Sequence, residues 1–225
     1  MSRDVSVFDI IGPIMVGPSS SHTAGAVRLG QVARAVLGSQ PTEALIELHG
    51  SFAQTGKGHG TDRGIVAGLL GLATDDPRLR HSFDLAEQAG LRFTIAAVDL
   101  GEDAHPNTAR ITVSDGRRTV QVVGASVGGG LVEIRQVDGY AVSFGCQYDT
   151  LLVVAEDRPG TVSQVTGWLA KRGINIAFLR VERDRRGGEA IMVIETDNPI
   201  DPVVLEALED YPWVRWVRQV PRVEA

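Results

Sequence analysis

Between residues 149 and 221 the sequence alternates apolar runs and helical stripes in an order that few compact folds accept. Leu151 to Glu156 is an apolar run of strand character, closed by Asp157-Arg158-Pro159-Gly160. Val162, Val165 and Leu169 then recur at helical spacing, Trp168 widens the stripe, and Gly173 supplies a left-handed stop. Ile174 to Glu182 and Ala190 to Thr196 are two further strands. The charged turn between them, Arg183 to Gly188, is a solvated hairpin loop. Asn198-Pro199 opens a second helix carrying Val204, Leu205 and Leu208, and Trp213 to Val220 is a last strand. The order is β-α-β-β-α-β, the ferredoxin-like split βαβ arrangement.

A strand ending in Glu156-Asp157, the turn Arg158-Pro159-Gly160, a helix closing in Lys171-Arg172-Gly173 and the entry Ile174-Asn175-Ile176 together resemble an ACT domain. That resemblance implies pairing of two such domains and an amino-acid effector near Gly160, Asn175 and Ile176. Backbone N–H groups at a helix N-terminus beside Gly160 suit a carboxylate. The plainer reading keeps Gly160 as a turn residue and Asn175 as a partner of its own loop.

The first 148 residues are mixed α and β. Leu29, Val32, Ala33, Val36 and Leu37 write a helix, ended by Gly38-Ser39-Gln40-Pro41. Glu43 to His49 alternates as a strand, and Thr61-Asp62 caps a helix through Ile65, Leu69 and Leu72. Asp84 to Ala89 is a short helix stopped by Gly90. Strands follow at 92–99, 109–114, 118–124 and 131–137, the last turning through Asp138-Gly139 into 140–144. The fold class is therefore α+β, in two domains, 1–148 and 149–225.

Four segments of the first domain carry chemistry. Ser19-Ser20-Ser21-His22-Thr23 stands at the mouth of a helix, where unpaired N–H groups favour carboxylates and phosphates. One serine would suffice for a cap. Gly50 to Asp62 lies between a strand and a helix, with Gly56, Lys57, Gly58, His59 and Gly60 in sequence. The spacing from Gly50 to Lys57 and the absence of Ser or Thr at 58 exclude a Walker A loop. Thr61 at the needed glycine position excludes a dinucleotide fingerprint. What remains is a flexible backbone that brings Lys57 and His59 to one place. His105-Pro106-Asn107-Thr108 is explained by turn chemistry alone. Ala125 to Gly130 is either a hairpin connection or a close approach of backbone to a ligand. The five histidines form no helical His-x-x-x-His pair, so no metal site is expected in this chain.

In this order the four segments resemble the β chain of iron–sulfur L-serine dehydratases. The first domain of that family is similar to the allosteric substrate-binding domain of some phosphoglycerate dehydrogenases. The resemblance implies conversion of L-serine to pyruvate and ammonia, an amino-acid catabolic step that feeds gluconeogenesis. It implies a [4Fe–4S] cluster acting as a Lewis acid on the substrate hydroxyl, with its cysteines on a separate α subunit. Catalytic roles fall to His22 and His59, and substrate contacts to Ser19, Ser20, Ser21, Thr23, Lys57, Gly128 and Gly129. The rival reading is a non-catalytic amino-acid sensor.

Composition bounds these readings. A single cysteine, Cys146, cannot hold a cluster alone and forms no intrachain disulfide. A net charge of −6 argues against nucleic acid, and no apolar run suits a membrane span. Met1 to Ile14 is too short in apolar stretch and too acidic for a signal peptide, which leaves the cytoplasm as the expected address.

Overall fold

The computed structural model describes residues 14–223. The signal-peptide reading of the N-terminus falls, Ile14 apart, on residues outside them. The chain forms two compact units, one up to Asp138 and one from Gly139 onward. The domain limits expected from the sequence differ in where the strand Tyr140–Phe144 is assigned.

In the first unit, α1 (Gly25–Leu37) follows a π-helical turn, Ser20–Ala24. Then come β1 (Glu43–Leu48), α2 (Gly50–His59), α3 (Thr61–Leu69), a 3-10 turn at Pro77–His81 and α4 (Ser82–Gln88). Strands β2 (Arg92–Ala97), β3 (Thr108–Ser114), β4 (Thr119–Gly128) and β5 (Leu131–Val137) complete it. Within this unit the sheet order is β2-β1-β3-β4-β5. Only β1 and β2 among these neighbours run parallel, as their helical crossover requires. Period-2 burial of Ala44, Ile46 and Leu48 on β1 and of Ile111 and Val113 on β3 gives the sheet a covered face. Leu29, Val32, Ala33 and Val36 of α1 are fully buried, and α1 packs on β3 and β4.

Helices α1 and α3 approach with no side chain between them at two points. A Cβ on Gly30 would stand 2.2 Å from the Ile65 carbonyl oxygen, and one on Gly68 would stand 2.0 Å from that of Val27. Neither oxygen can move without its helix.

Three sequence expectations change here. The Gly-rich segment from Gly50 is a helix, not a flexible loop. Its propensity is poor, but Phe52 is fully buried and Gly56 packs against Leu48 and Thr61, so tertiary contacts override propensity. Thr61 does not cap α3: Gly60 takes that place at φ +73°, its carbonyl accepting from the Gly64 N–H at 2.8 Å. Strand β4 runs on to Gly128, beyond the expected limit at 124.

The second unit holds β6 (Tyr140–Phe144), β7 (Asp149–Glu156), α5 (Thr161–Lys171), β8 (Ile176–Arg183), β9 (Glu189–Thr196), α6 (Pro202–Glu209) and β10 (Val214–Val220). From β7 on this is the expected βαββαβ order, with the sheet arranged β10-β7-β9-β8. Leu151, Val153, Met192, Ile194 and Val217 form one core with Val165, Leu169, Val204 and Leu208 of the two helices. Gly173 is left-handed at φ +67°, as expected. The second helix starts at Pro202 instead of Asn198-Pro199, because Asp201 accepts from the Val203 N–H and Pro202 needs no partner at the first position.

Gly68→Ala should lower stability by about 1–3 kcal/mol or more, since the overlap is with backbone. Gly167→Ala, in the interior of α5 with nothing within 4 Å of the added methyl, should raise it by about 0.5–1 kcal/mol. Thermal unfolding of the two variants against the parent measures both.

Candidate functional site

Strand β1 delivers the chain to His49, whose extended backbone turns sharply at Gly50. Gly50 has φ +54°, and a Cβ there would meet the Pro106 carbonyl oxygen at 2.7 Å. The same oxygen accepts from the Phe52 N–H at 3.3 Å. Helix α2 is thereby anchored at its start to the turn at 105–108 and, through Phe52, to the core. Its far end is closed by Gly60, whose N–H reaches the Gly56 carbonyl. Lys57 and His59 sit on the last, exposed turn.

The Ser/His/Thr segment is held against that turn. Ser19 Oγ accepts from the His22 N–H at 3.2 Å, and the Thr23 N–H donates to the Ser19 carbonyl at 2.8 Å. Thr23 Oγ1 donates to the His59 carbonyl at 2.8 Å. The His22 ring has its Nε2 3.1 Å from Ser51 Oγ. Its centroid lies 5.2 Å from that of Phe52, edge to face, and 5.1 Å from that of His59. Burial pushes the proton affinity of His22 below its ordinary value and the neighbouring His59 lowers it further, while a hydrogen bond with the Ser51 backbone pulls partly the other way.

The fourth segment joins through Asn107. The Ser126 N–H donates to the Asn107 carbonyl at 3.0 Å, and the side-chain amide of Asn107 donates to the Ser126 carbonyl at 3.4 Å. Ser126 Oγ is fully enclosed without a hydrogen-bond partner, and a Cβ on Gly25 would lie 2.1 Å from it. Gly129 and Gly130, both at positive φ, form the two-residue turn between β4 and β5. The buried Arg28 of α1 donates to the Gly130 carbonyl at 2.6 Å. The four segments thus close a ring of contacts around the start of α1.

Within this ring the candidate residues divide. The hydroxyls of Ser19 and Thr23 are engaged in framework bonds. Among the described residues, Ser20 Oγ, Ser21 Oγ, Lys57 Nζ and the His59 ring nitrogens have no hydrogen-bond or ion-pair partner, which leaves them to meet a ligand. Gly128 ends β4 and Gly129 opens the β4–β5 turn. His105 Nδ1 accepts from the Asn107 N–H at 3.1 Å, the turn role its sequence suggested. Ser51 was not singled out from sequence; its only signal was its place at the first turn of what reads as a loop.

In the second unit, Gly160 stands at the N-cap of α5 with φ +91° and no side-chain cap. Asn175 donates its side-chain amide to Asp197 Oδ2 at 2.6 Å, and the Asp197 N–H donates to the Asn175 carbonyl. That reciprocal pair is the local role open to Asn175. Ile176 begins β8. Cys146 is buried, and no group of three or more His, Cys, Asp and Glu side chains is placed to hold a metal ion among the described residues.

Residues 6–90 match the family model described as serine dehydratase beta chain, and 150–212 the one described as ACT domain. A protein of Bacillus subtilis named as a probable L-serine dehydratase, beta chain, is 42% identical over 215 residues, covering 96% of this chain and 97% of that one. The chain belongs to the serine dehydratase beta chain family. An L-serine dehydratase beta chain of Peptoniphilus asaccharolyticus is 39% identical over 206 residues, 91% and 93% of the two chains. A D-3-phosphoglycerate dehydrogenase of Methanocaldococcus jannaschii is 33% identical over 114 residues, 51% of this chain and 22% of that one, in the N-terminal part. The expected likenesses of both units are borne out. Among the described residues no helix is long and apolar enough to cross a membrane.

His22 binds its proton less tightly folded than unfolded, so its contribution to stability is fully present above the unfolded value of about 6.5 and is lost as pH falls toward the folded one. Thermal unfolding followed from pH 7.5 to 5.5 should therefore show a fall in stability. The fall should be shallower in His22→Gln, whose side chain has no proton to gain.

Proposed function

We propose that this chain is the β subunit of an L-serine dehydratase and that it contributes the substrate-handling residues to a site completed by an α subunit. The observation that carries the reading is the pair of imidazoles, His22 and His59, 5.1 Å apart at the mouth of α1. The near-full-length similarity to proteins named as L-serine dehydratase beta chains supports it. Loss of water from serine requires one proton to leave Cα and another to reach the departing hydroxyl. Two histidines in unlike surroundings, one part-buried and one exposed, suit those two tasks.

Ser20 and Ser21, on the π turn before α1, and Lys57 would hold the substrate carboxylate, helped by the backbone N–H groups at that end. Gly128 and Gly129, at the end of β4, would border the bound amino acid. Ser19 and Thr23 act through the framework, fixing the turn and the end of α2.

A [4Fe–4S] cluster belongs, in this reading, to the cysteines of the α subunit. With Cys146 alone, and that buried, this chain's residues do not fit one. The steps assigned to it are carboxylate binding and proton transfer. The cytoplasm is the proposed location. The ACT unit is proposed to pair with a second copy through β8, an edge strand that exposes Phe178, Leu179 and Val181. An effector carboxylate would sit near Gly160, with Asn175 and Ile176 beside it.

Anaerobic co-expression with a cysteine-rich partner chain, followed by a pyruvate assay on L-serine, tests the proposal. Each chain alone should be inactive and the pair active. In the pair, His22→Ala and His59→Ala should each lower turnover by about 10²–10⁴-fold with assembly intact. Undiminished turnover in both variants would sink the site. A chain that binds serine but neither assembles nor assists turnover would instead favour an amino-acid sensor.

A further inference from the structure

Among the described residues, Ser51 is the side chain hydrogen-bonded to the His22 ring. It lies in the first turn of α2, between Gly50, which is pinned to Pro106, and Phe52, which is fully buried. The Ser51 carbonyl is itself bonded by Thr55 Oγ1 at 2.8 Å. The hydroxyl is therefore carried by a fixed stretch of backbone, and it stands 3.1 Å from His22 Nε2. Phe52 and His59 flank the same ring at 5.2 and 5.1 Å. The His22 backbone is fixed independently by Ser19.

We propose that Ser51 is a positioning residue that fixes the tautomer of His22, accepting from Nε2–H so that Nδ1 is the nitrogen that exchanges protons. The inference rests on the proposed acid–base role of His22 and goes beyond it, because it says which nitrogen works and what makes it do so. An imidazole with one nitrogen held as a donor presents the other as a base. A ring that donates to an oxygen is favoured in its protonated form, and the Ser51 backbone already acts on His22 in that sense. A hydroxyl that accepts from Nε2–H stabilises the imidazolium that a base becomes, while burial and His59 oppose it. The residue thus acts through His22 and needs no contact with substrate.

The test uses the full chain with 15N-labelled histidine, alone and reconstituted with its α partner, as parent, Ser51→Ala and Ser51→Thr. Comparison with His22→Gln assigns the His22 signals. In the parent above its titration, Nε2 should carry the proton and Nδ1 should be bare. In Ser51→Ala the two tautomers should mix and the His22 titration midpoint should fall. In the reconstituted enzyme kcat should drop about tenfold with KM little changed, the low end of what the orienting partners of ligating histidines contribute. The acid limb of the kcat–pH profile should move with the midpoint. Ser51→Thr, which keeps the hydroxyl, should restore tautomer and profile. A parent ring protonated at Nδ1 overturns the inference. So does a folded Ser51→Ala chain whose tautomer and midpoint match the parent. Failure of the underlying reading looks different: His22→Ala would keep its turnover whatever Ser51 does.

Discussion

Contact between the backbones of α1 and α3 sets the distance on which the rest of the site depends. Where Gly30 and Gly68 meet the Ile65 and Val27 carbonyls, the helices stand closer than any pair of side chains permits. The same contact continues upward, since a Cβ on Gly64 would lie 2.9 Å from the Thr23 carbonyl. The π turn bearing His22 is in this way seated on the first turns of α3. Only Gly60 separates the end of α2 from the start of α3, so the seat also places His59. No bond joins the two imidazoles; their separation follows from how closely two helices pack, through rigid interiors that transmit small displacements.

Around that frame the hydroxyl groups have different duties. Ser19 and Thr23 tie the π turn to itself and to the end of α2, and Ser51 faces the His22 ring. These bonds hold geometry before any ligand arrives, which spares the ordering cost at binding. Ser20 and Ser21 lie on the same turn with no such duty. The two histidines differ in the same fashion, His22 wedged among Phe52, Ser51 and its neighbour, His59 on an exposed helix end. Unlike surroundings are what separate an acid from a base when the side chains are identical.

The second unit was legible because its periodicities are clean: an apolar strand at 151–156, a helical stripe and a glycine stop leave one element order. The first unit was less so. Gly56, Gly58 and Gly60 signal a loop to any propensity argument, and the helix there exists because its own Phe52 is buried in the core and Leu48 packs against Gly56. The chemical residues stood out in the sequence as clusters of Ser, His and Lys, but which of them are free depends on contacts across dozens of positions. Thr23 and Ser51 illustrate this, since their partners lie 36 and 29 residues away. The parallel pairing of β1 with β2 has no local signature either.

Strand β6 adds one further feature to the second unit. Tyr140 donates to Glu189 at 2.6 Å, and Arg180 links the Ser143 carbonyl to Glu195, so β6 runs along the face of β8 and β9 turned away from the helices. Val142 and Phe144 share the side of β6 that bears Tyr140, and Ile191 and Val193 share the side of β9 that bears Glu189. The sheet is therefore sandwiched on both sides in this region. A domain of this kind is not portable at the limits its βαββαβ pattern suggests: cut at residue 149, it would leave the preceding strand behind and turn an oily surface to water. The strand that the sequence shows as the second arm of a hairpin thus also covers the sheet that follows it.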